Sequence, residues 1–283
     1  ASRNSGSKMT AAPGGNVDLA ALGALAEAIA REAGALLLDG FEGIRTVDLK
    51  SSPTDVVTEM DRAAEALIVR RILEARPDDG ILGEEGADRP SRTGVRWVID
   101  PLDGTVNYLY RRPDWAVSIG VEVDGASCTG AVFAPVHDEL FAATLGGGAT
   151  RNGRPIHVSS EARVTHALVG TGFGYEAAVR KAQGAVVARL IGEVRDIRRS
   201  GSAALDLCAL ACGRLDAYYE RGVHLWDIAA AGLVVREAGG HAETLDAAPL
   251  TTESIWIGTN APLYRDFRAL LGSASGLDPR SVC

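Results

Sequence analysis

The chain lacks any uninterrupted apolar run approaching the roughly eighteen residues a membrane-spanning helix needs, and its start carries no basic region followed by a hydrophobic stretch. A spanning helix and a secretory leader of the usual kind are therefore not expected, and the cytoplasm is the expected address. Cysteine is scarce. Cys128, Cys208, Cys212 and Cys283 form no CxxC pair, which argues against a disulfide framework. Cys208 and Cys212 share a helix face at i, i+4, yet no nearby His or second Cys pair completes a zinc set, so buried thiols are expected. The five His residues are scattered and none is assigned a role; His224, two before Trp226, is read as structural. Positive charge is also in deficit. A net charge of −8 disfavours the attraction to a phosphate backbone on which nucleic-acid binders rely, so direct nucleic-acid binding is not expected.

What is present is 283 residues, 46% of them hydrophobic, enough for a substantial core. Residues Ala1 to Lys8 are polar, show no periodicity and precede Met9-Thr10; they are read as an expression-tag remnant and set aside. No repeat, and no linker rich in Pro, Ser or charge, divides the remainder, so residues 9–283 are expected to form one domain. Apolar residues recur at helical spacing from Val17 to Gly40 and from about Thr58 to Ala75, with the polar loop Lys50 to Asp55 between. Ile81-Leu82 and Val95 to Ile99 are short strands that stop at acidic residues. An antiparallel meander follows, Trp115 to Val123, Ser127 to Ala134 and Glu139 to Thr144, with turns at Asp124-Gly125 and at 135–138 and a further turn at Asn152-Gly153. The second half alternates strands near 168–170, 194–197, 215–219 and 255–258 with helices near 176–191, 202–212, 226–238 and 263–271. The class is mixed α and β.

The strongest chemical signal is Asp100-Pro101-Leu102-Asp103-Gly104-Thr105. Pro101 biases Asp100 toward extended backbone, and Gly104-Thr105 can open a short helix through Tyr108. Two carboxylates three residues apart can then converge near the N–H groups of a helix start, offering oxygen ligands to hard cations and donors to a phosphate. A plain strand followed by an Asp-Gly turn accounts for the same residues locally. In Gly83-Glu84-Glu85-Gly86 adjacent acids cannot both face one way in extended chain; Glu84 is the ligand candidate and Glu85 the solvated acid. Asp227 reads on its own as a helix cap, and Asp61 as the partner of Thr58 in a capping-box variant. Gly201-Ser202-Ala203 starts a helix with small residues, which fits either approachable backbone donors or close helix packing. Glu220 can accept hydrogen bonds from hydroxyls or be a surface acid.

Taken together these segments resemble the inositol monophosphatase family. Asp100 to Thr105 looks like its first signature and Trp226-Asp227-Ile228-Ala229-Ala230-Ala231-Gly232 like its second, while Lys50 to Asp61, Gly83-Glu84-Glu85, Gly201-Ser202-Ala203 and Ala217-Tyr218-Tyr219-Glu220 fall where that family has its metal loop, metal acid and substrate contacts. The similarity runs from about Asp18 to Leu271. It implies an α+β fold, a layered αβαβα sandwich of the type shared with fructose-1,6-bisphosphatase, usually as a homodimer. It also implies lithium-sensitive, magnesium-dependent hydrolysis of a small polyol phosphate, inositol 1-phosphate above all, with two to three Mg²⁺ per site. Carried across, Glu84, Asp100 and the Leu102 carbonyl hold one ion and Asp100, Asp103 and Asp227 a second, with Glu84 also near a third. Asp61 and Thr105, with Glu84, form the catalytic group that positions water. Gly104 and Thr105 contact phosphate, and Asp103, Gly201, Ser202, Ala203, Glu220 and Asp227 line the polyol site. Ala231 and the unassigned Arg111-Arg112 are the small departures. Relatives with the same metal core hydrolyse fructose bisphosphate, histidinol phosphate or adenosine bisphosphate, and some bacterial relatives act in transcription complexes; both stand as alternatives to, or additions beside, the inositol reading.

Overall fold

Asp18 opens the first helix, its carboxylate accepting the Ala21 N–H at 3.0 Å, which satisfies one of the donors that a helix start leaves free. A computed structural model describes residues 17–41, 43, 47–49 and 56–276. The tag reading of Ala1 to Lys8, the Lys50 to Asp55 loop and Cys283 lie outside the described residues. Helix α1 (Leu19–Gly40) buries Leu22, Ala26, Ile29, Ala30, Ala33 and Leu37, a single stripe at the expected three- and four-residue spacing. The described chain then runs through β1 (Val47–Leu49), β2 (Val56–Thr58), α2 (Glu59–Ala75), β3 (Gly80–Gly83), β4 (Asp88–Arg89), β5 (Val95–Asp103) and α3 (Thr105–Leu109). The meander is β6 (Ala116–Val123), β7 (Ala126–Ala134) and β8 (Glu139–Thr144), extended by β9 (Gly148–Arg151) and β10 (Arg154–Pro155). The second half holds β11 (Leu168–Thr171), α4 (Ala177–Leu190), β12 (Asp196–Arg198), α5 (Ala203–Ala211), β13 (Ala217–Arg221), α6 (Leu225–Glu237), β14 (His241–Thr244), β15 (Ile255–Thr259) and α7 (Tyr264–Ser275).

Two large sheets result. One runs β10-β9-β8-β7-β6-β5-β3-β4, antiparallel except for the β3–β5 pair, and the other β12-β11-β13-β15-β14, parallel on its first three strands. Helices α1 and α2 cover one face of the first sheet, α5 and α6 lie between the sheets, and α4 and α7 back the second. This is the layered α+β order expected. The middle layer is unusually close: a Cβ built on Gly120 would sit 2.8 Å from the Ala229 Cβ, and one on Gly130 2.9 Å from the Ala230 Cα. The pair Ala229-Ala230 therefore seats α6 closely on β6 and β7, and these two small residues have a packing cause independent of chemistry.

The meander turns at Asp124-Gly125 and Asn152-Gly153 hold both residues at positive φ, as a two-residue hairpin requires. Strands β1, β2, β4, β9, β10 and β14 were not anticipated; each is four residues or shorter, too brief for alternation to register. Among the described residues no helix is long and apolar enough to cross a membrane. Cys128 and Cys208 are buried thiols as expected, whereas Cys212 is only half-buried, at the end of α5.

Candidate functional site

Strand β5 does not stop at Ile99; it continues to Asp103 through an irregularity that decides where the acids point. Asp100 pairs with Ser118 and Asp103 with Ala116, so three steps on β5 are matched by two on β6. Residues three apart in a regular strand face opposite sides, and the extra residue of a bulge brings the second back to the side of the first. Pro101 sits inside this break, where its missing N–H costs little. Asp100 and Asp103 thus face one cleft. Asp100 is buried and accepts the Leu102 N–H at 3.0 Å. Gly104 follows at φ 97°, a left-handed turn in which a Cβ would stand 2.9 Å from the Asp114 carbonyl, and α3 begins at Thr105.

Asp61 is third in α2 and closes the capping box with the Thr58 N–H at 2.8 Å, as its sequence context predicted. Its other oxygen accepts the Thr105 hydroxyl at 2.8 Å, and that hydroxyl lies 3.1 Å from the Leu102 carbonyl. The cap and the pairing with Thr105 are one arrangement. Asp61 is fully buried and, unlike the other predicted site residues, stands behind the cleft wall, reaching it through Thr105. Burial raises its pKa against the pull of the Thr58 and Thr105 bonds.

The other acids come from separate elements. The Glu84 N–H binds the Ile99 carbonyl at 3.2 Å, pinning the end of β3 to β5 so that Glu84 reaches the cleft while Glu85 does not. Asp227 is third in α6 and not its first residue: His224 is the cap, and its N–H reaches the Asp227 carboxylate at 2.7 Å. Ser202 caps α5, accepting the Leu205 N–H at 3.1 Å while its hydroxyl donates to Asp103 at 2.7 Å; the Ala204 N–H adds a second 2.7 Å bond to the same oxygen. The start of α5 is thereby tied across the layers to the first signature. Glu220, on β13, accepts the Tyr218 hydroxyl at 2.6 Å.

These groups line one cleft of about 710 Å³, to which the first sheet and α3 bring Glu84, Asp100, Leu102, Asp103, Gly104 and Thr105, and the starts of α5 and α6 with β13 bring Gly201, Ser202, Ala203, Glu220 and Asp227. Asp100 is pushed well above the usual carboxylate range by burial and then by the charges of Glu84, Asp103 and Asp227. Burial and the Asp103 and Glu84 charges do the same to Asp227, while burial lifts Asp103 to about 6 against its bonds from Ser202 and Ala204. Among the described residues no three such side chains are drawn into a closed ligand sphere. The charges of Glu84, Asp103 and Asp227 act on Asp100, and those of Glu84 and Asp103 on Asp227, so these carboxylates lie within electrostatic reach in one buried space. Glu84, Asp100, Asp103 and Asp227 on one cleft supply the carboxylate oxygens that hard divalent cations take, and Arg199 and Arg221 are the arginines of its described lining.

A family model described as the inositol monophosphatase family matches residues 18–271. The chain belongs to that family. An inositol-1-monophosphatase named SuhB from Mycobacterium tuberculosis is 45% identical over 207 residues, 70% of this chain and 71% of that protein. A "Nus factor SuhB" from Xylella fastidiosa is 44% identical over 75% of this chain and 78% of its own length. In structure, the suppressor protein SuhB of Bartonella henselae superposes with a TM-score of 0.83 at 33% identity, covering 90% of this chain and 98% of that one. The chain is a phosphatase of the inositol monophosphatase family.

Within this family member several residues that shape the site went unpredicted. Glu65, buried on α2, accepts the N–H groups of Glu85 and Ala87 at 2.9 and 3.0 Å and so fixes the loop that presents Glu84. Asn107 donates to the Asp114 and Ser200 carbonyls at 2.6 and 2.9 Å, joining α3 to the approach of α5. Asp206 lines the cleft beside Glu220, its pKa raised to about 8 by burial against a bond from Ser200. A signal existed for it: Asp206 is the lone charge in the nine-residue apolar helix α5. His224, read as structural, does cap α6 and stack on Trp226 at 4.7 Å, but it also stands exposed at the cleft mouth.

Proposed function

We propose that this chain hydrolyses a small polyol phosphate monoester, inositol 1-phosphate foremost, with Mg²⁺ as its cofactor. The observation that carries this reading is the bulge in β5, which turns Asp100 and Asp103 to one cleft opposite Asp227 and beside the Thr105–Asp61 pair. Glu84, Asp100, the Leu102 carbonyl, Asp103 and Asp227 would hold two to three ions. Bound there, the cations would screen the phosphate dianion, lower the pKa of the attacking water and stabilise the leaving alkoxide.

The chain's own groups do the rest. The Asp61 carboxylate keeps the Thr105 hydroxyl oriented, and the oxygen of that hydroxyl accepts from a water at the phosphate. Glu84 offers a second acceptor. The backbone N–H groups of Gly104 and Thr105 face the phosphate oxygens, and the Asp103 carboxylate, fixed by Ser202 and Ala204, holds its ligand direction without rearrangement. Glu220, Ser202 and Ala203 take the polyol hydroxyls. Members of the family that split histidinol phosphate or fructose bisphosphate would share all but these last contacts, so specificity rests on them.

Phosphate release from inositol 1-phosphate with Mg²⁺, and its loss on adding EDTA, tests the reading; robust turnover under full chelation overturns it. Replacing Glu220 by Gln should change the order of preference among inositol 1-phosphate, histidinol phosphate, fructose 1,6-bisphosphate and adenosine 3′,5′-bisphosphate while the Mg²⁺ requirement stays. An unaltered order would remove Glu220 from the polyol site. A homodimer and inhibition by lithium belong to the same reading. The similarity to a protein named as a Nus factor supports an additional role in transcription complexes.

A further inference from the structure

Glu220 is the acid that the proposed function assigns to the polyol, and the space that its carboxylate fills belongs to another residue. A Cβ built on Gly172 falls inside the Glu220 carboxyl group, meeting both of its oxygens and Cδ. Gly172 is just past the end of β11, which pairs in parallel with β13, the strand that carries Glu220. Two positions earlier on the same face, Gly170 lies opposite Tyr218, and a Cβ there would stand 2.8 Å from Leu215 Cδ1, 3.2 Å from the Tyr218 ring and 3.4 Å from the Asp206 carboxyl carbon. The pair of glycines in Gly170-Thr171-Gly172 leaves a trough along the end of β11. Tyr218 lies in it beside Gly170, and its hydroxyl fixes Glu220 beside Gly172 at 2.6 Å.

The backbone gives no separate reason for glycine at 172. Its φ is outside the left-handed region, so an alanine would meet no left-handed strain there. Space for Glu220 is the remaining cause. We infer that Gly172 is a specificity-determining position of this enzyme: it acts through Glu220, and by having no side chain it sets where the polyol-binding carboxylate stands in the cleft. The inference rests on the polyol-phosphate reading. Gly172 is a positioning residue, since the contact with substrate is made by Glu220 and not by its own atoms.

The test compares inositol 1-phosphate with p-nitrophenyl phosphate, which carries no polyol, in the Mg²⁺-loaded protein. For Gly172→Ala the ratio of kcat/KM for the first to that for the second should fall about tenfold or more, chiefly through KM for the polyol ester. In a Glu220→Asp background, where the carboxyl is withdrawn by one methylene, the same substitution should cost much less, because the clash is already relieved. An unchanged ratio, or an equal cost in both backgrounds, overturns the inference. If Gly172→Ala alone does not fold, recovery of a folded protein on adding Glu220→Ala carries the same conclusion, and failure in both backgrounds sinks it. Failure of the underlying reading is seen separately: the unsubstituted protein would not turn over inositol 1-phosphate. The ratio is then taken on whichever polyol phosphate it does hydrolyse, and the absence of any such ester overturns both.

Discussion

Replacing Asp103 by Asn should abolish turnover, with a loss on the order of a thousandfold or more, while leaving the fold intact. The side chain keeps its shape. Its remaining carbonyl oxygen can still accept from the Ser202 hydroxyl and the Ala204 N–H, the two 2.7 Å bonds that tie the first signature to the start of α5. What changes is the second oxygen, which becomes an NH₂ group whose hydrogens point toward the place where cations are to be held. A donor there repels what a carboxylate attracts. Circular dichroism should match the unsubstituted protein, and phosphate release at saturating Mg²⁺ should sit at background. Near-normal turnover would take Asp103 out of the metal site and would leave the bulge in β5 without the purpose assigned to it.

The bulge also marks the limit of what was legible beforehand. Alternation identified the meander strands to within a residue or so, and capping residues located α1, α2 and α5, because those signals are local. Whether Asp100 and Asp103 face the same way is not local. It depends on β6 supplying two residues against three, a fact about pairing that neither strand carries alone. Asp61 and Asp227 illustrate the same point differently. Each has a local cause: Asp61 is the capping-box acid of α2 as read, while Asp227, read as the cap of α6, is its third residue and bonds the N–H of the true cap, His224. Only tertiary placement adds the second oxygen's partner, Thr105 for Asp61 and the shared cleft for Asp227.

Glu65 and Asn107 were missed because their work is done on backbone atoms of distant segments, the N–H groups of 85 and 87 and the carbonyls of 114 and 200. No spacing rule reaches across such separations. The small residues after Asp227 have the reverse lesson. As a motif they read as part of a signature, yet the contact of Ala229 and Ala230 with Gly120 and Gly130 gives them a packing reason of their own. A signature can therefore mix chemical and packing constraints in one heptapeptide, with Asp227, the proposed metal ligand, on the one side and Ala229-Ala230 on the other.

Without divalent cations the protein should lose stability as pH rises, and neutralising one acid of the cleft should restore it. Asp103, Glu220 and Asp206 are lifted by burial to about 6, about 7 and about 8, and burial with the neighbouring carboxylates raises Asp100 and Asp227 well above the usual range. In the unfolded chain these carboxyls return to roughly pKa 4. Above that pH the folded state holds more protons than the unfolded one. Their contribution to stability is therefore complete below about pH 4 and drains away as the pH climbs through 6, 7 and 8. Melting temperatures measured in EDTA should fall between about pH 5 and pH 8.5, and Mg²⁺ should flatten that slope by binding the folded state alone. Asp100→Asn keeps an oxygen for the Leu102 N–H and removes a buried charge crowded by Glu84, Asp103 and Asp227, so at about pH 8 in EDTA it should melt a few degrees higher, equivalent to roughly 1–3 kcal/mol. The same variant should be inactive and should gain little from Mg²⁺. An EDTA melting curve that rises with pH, or an Asp100→Asn protein destabilised relative to its parent at about pH 8, would show that the crowded acids cost the fold nothing.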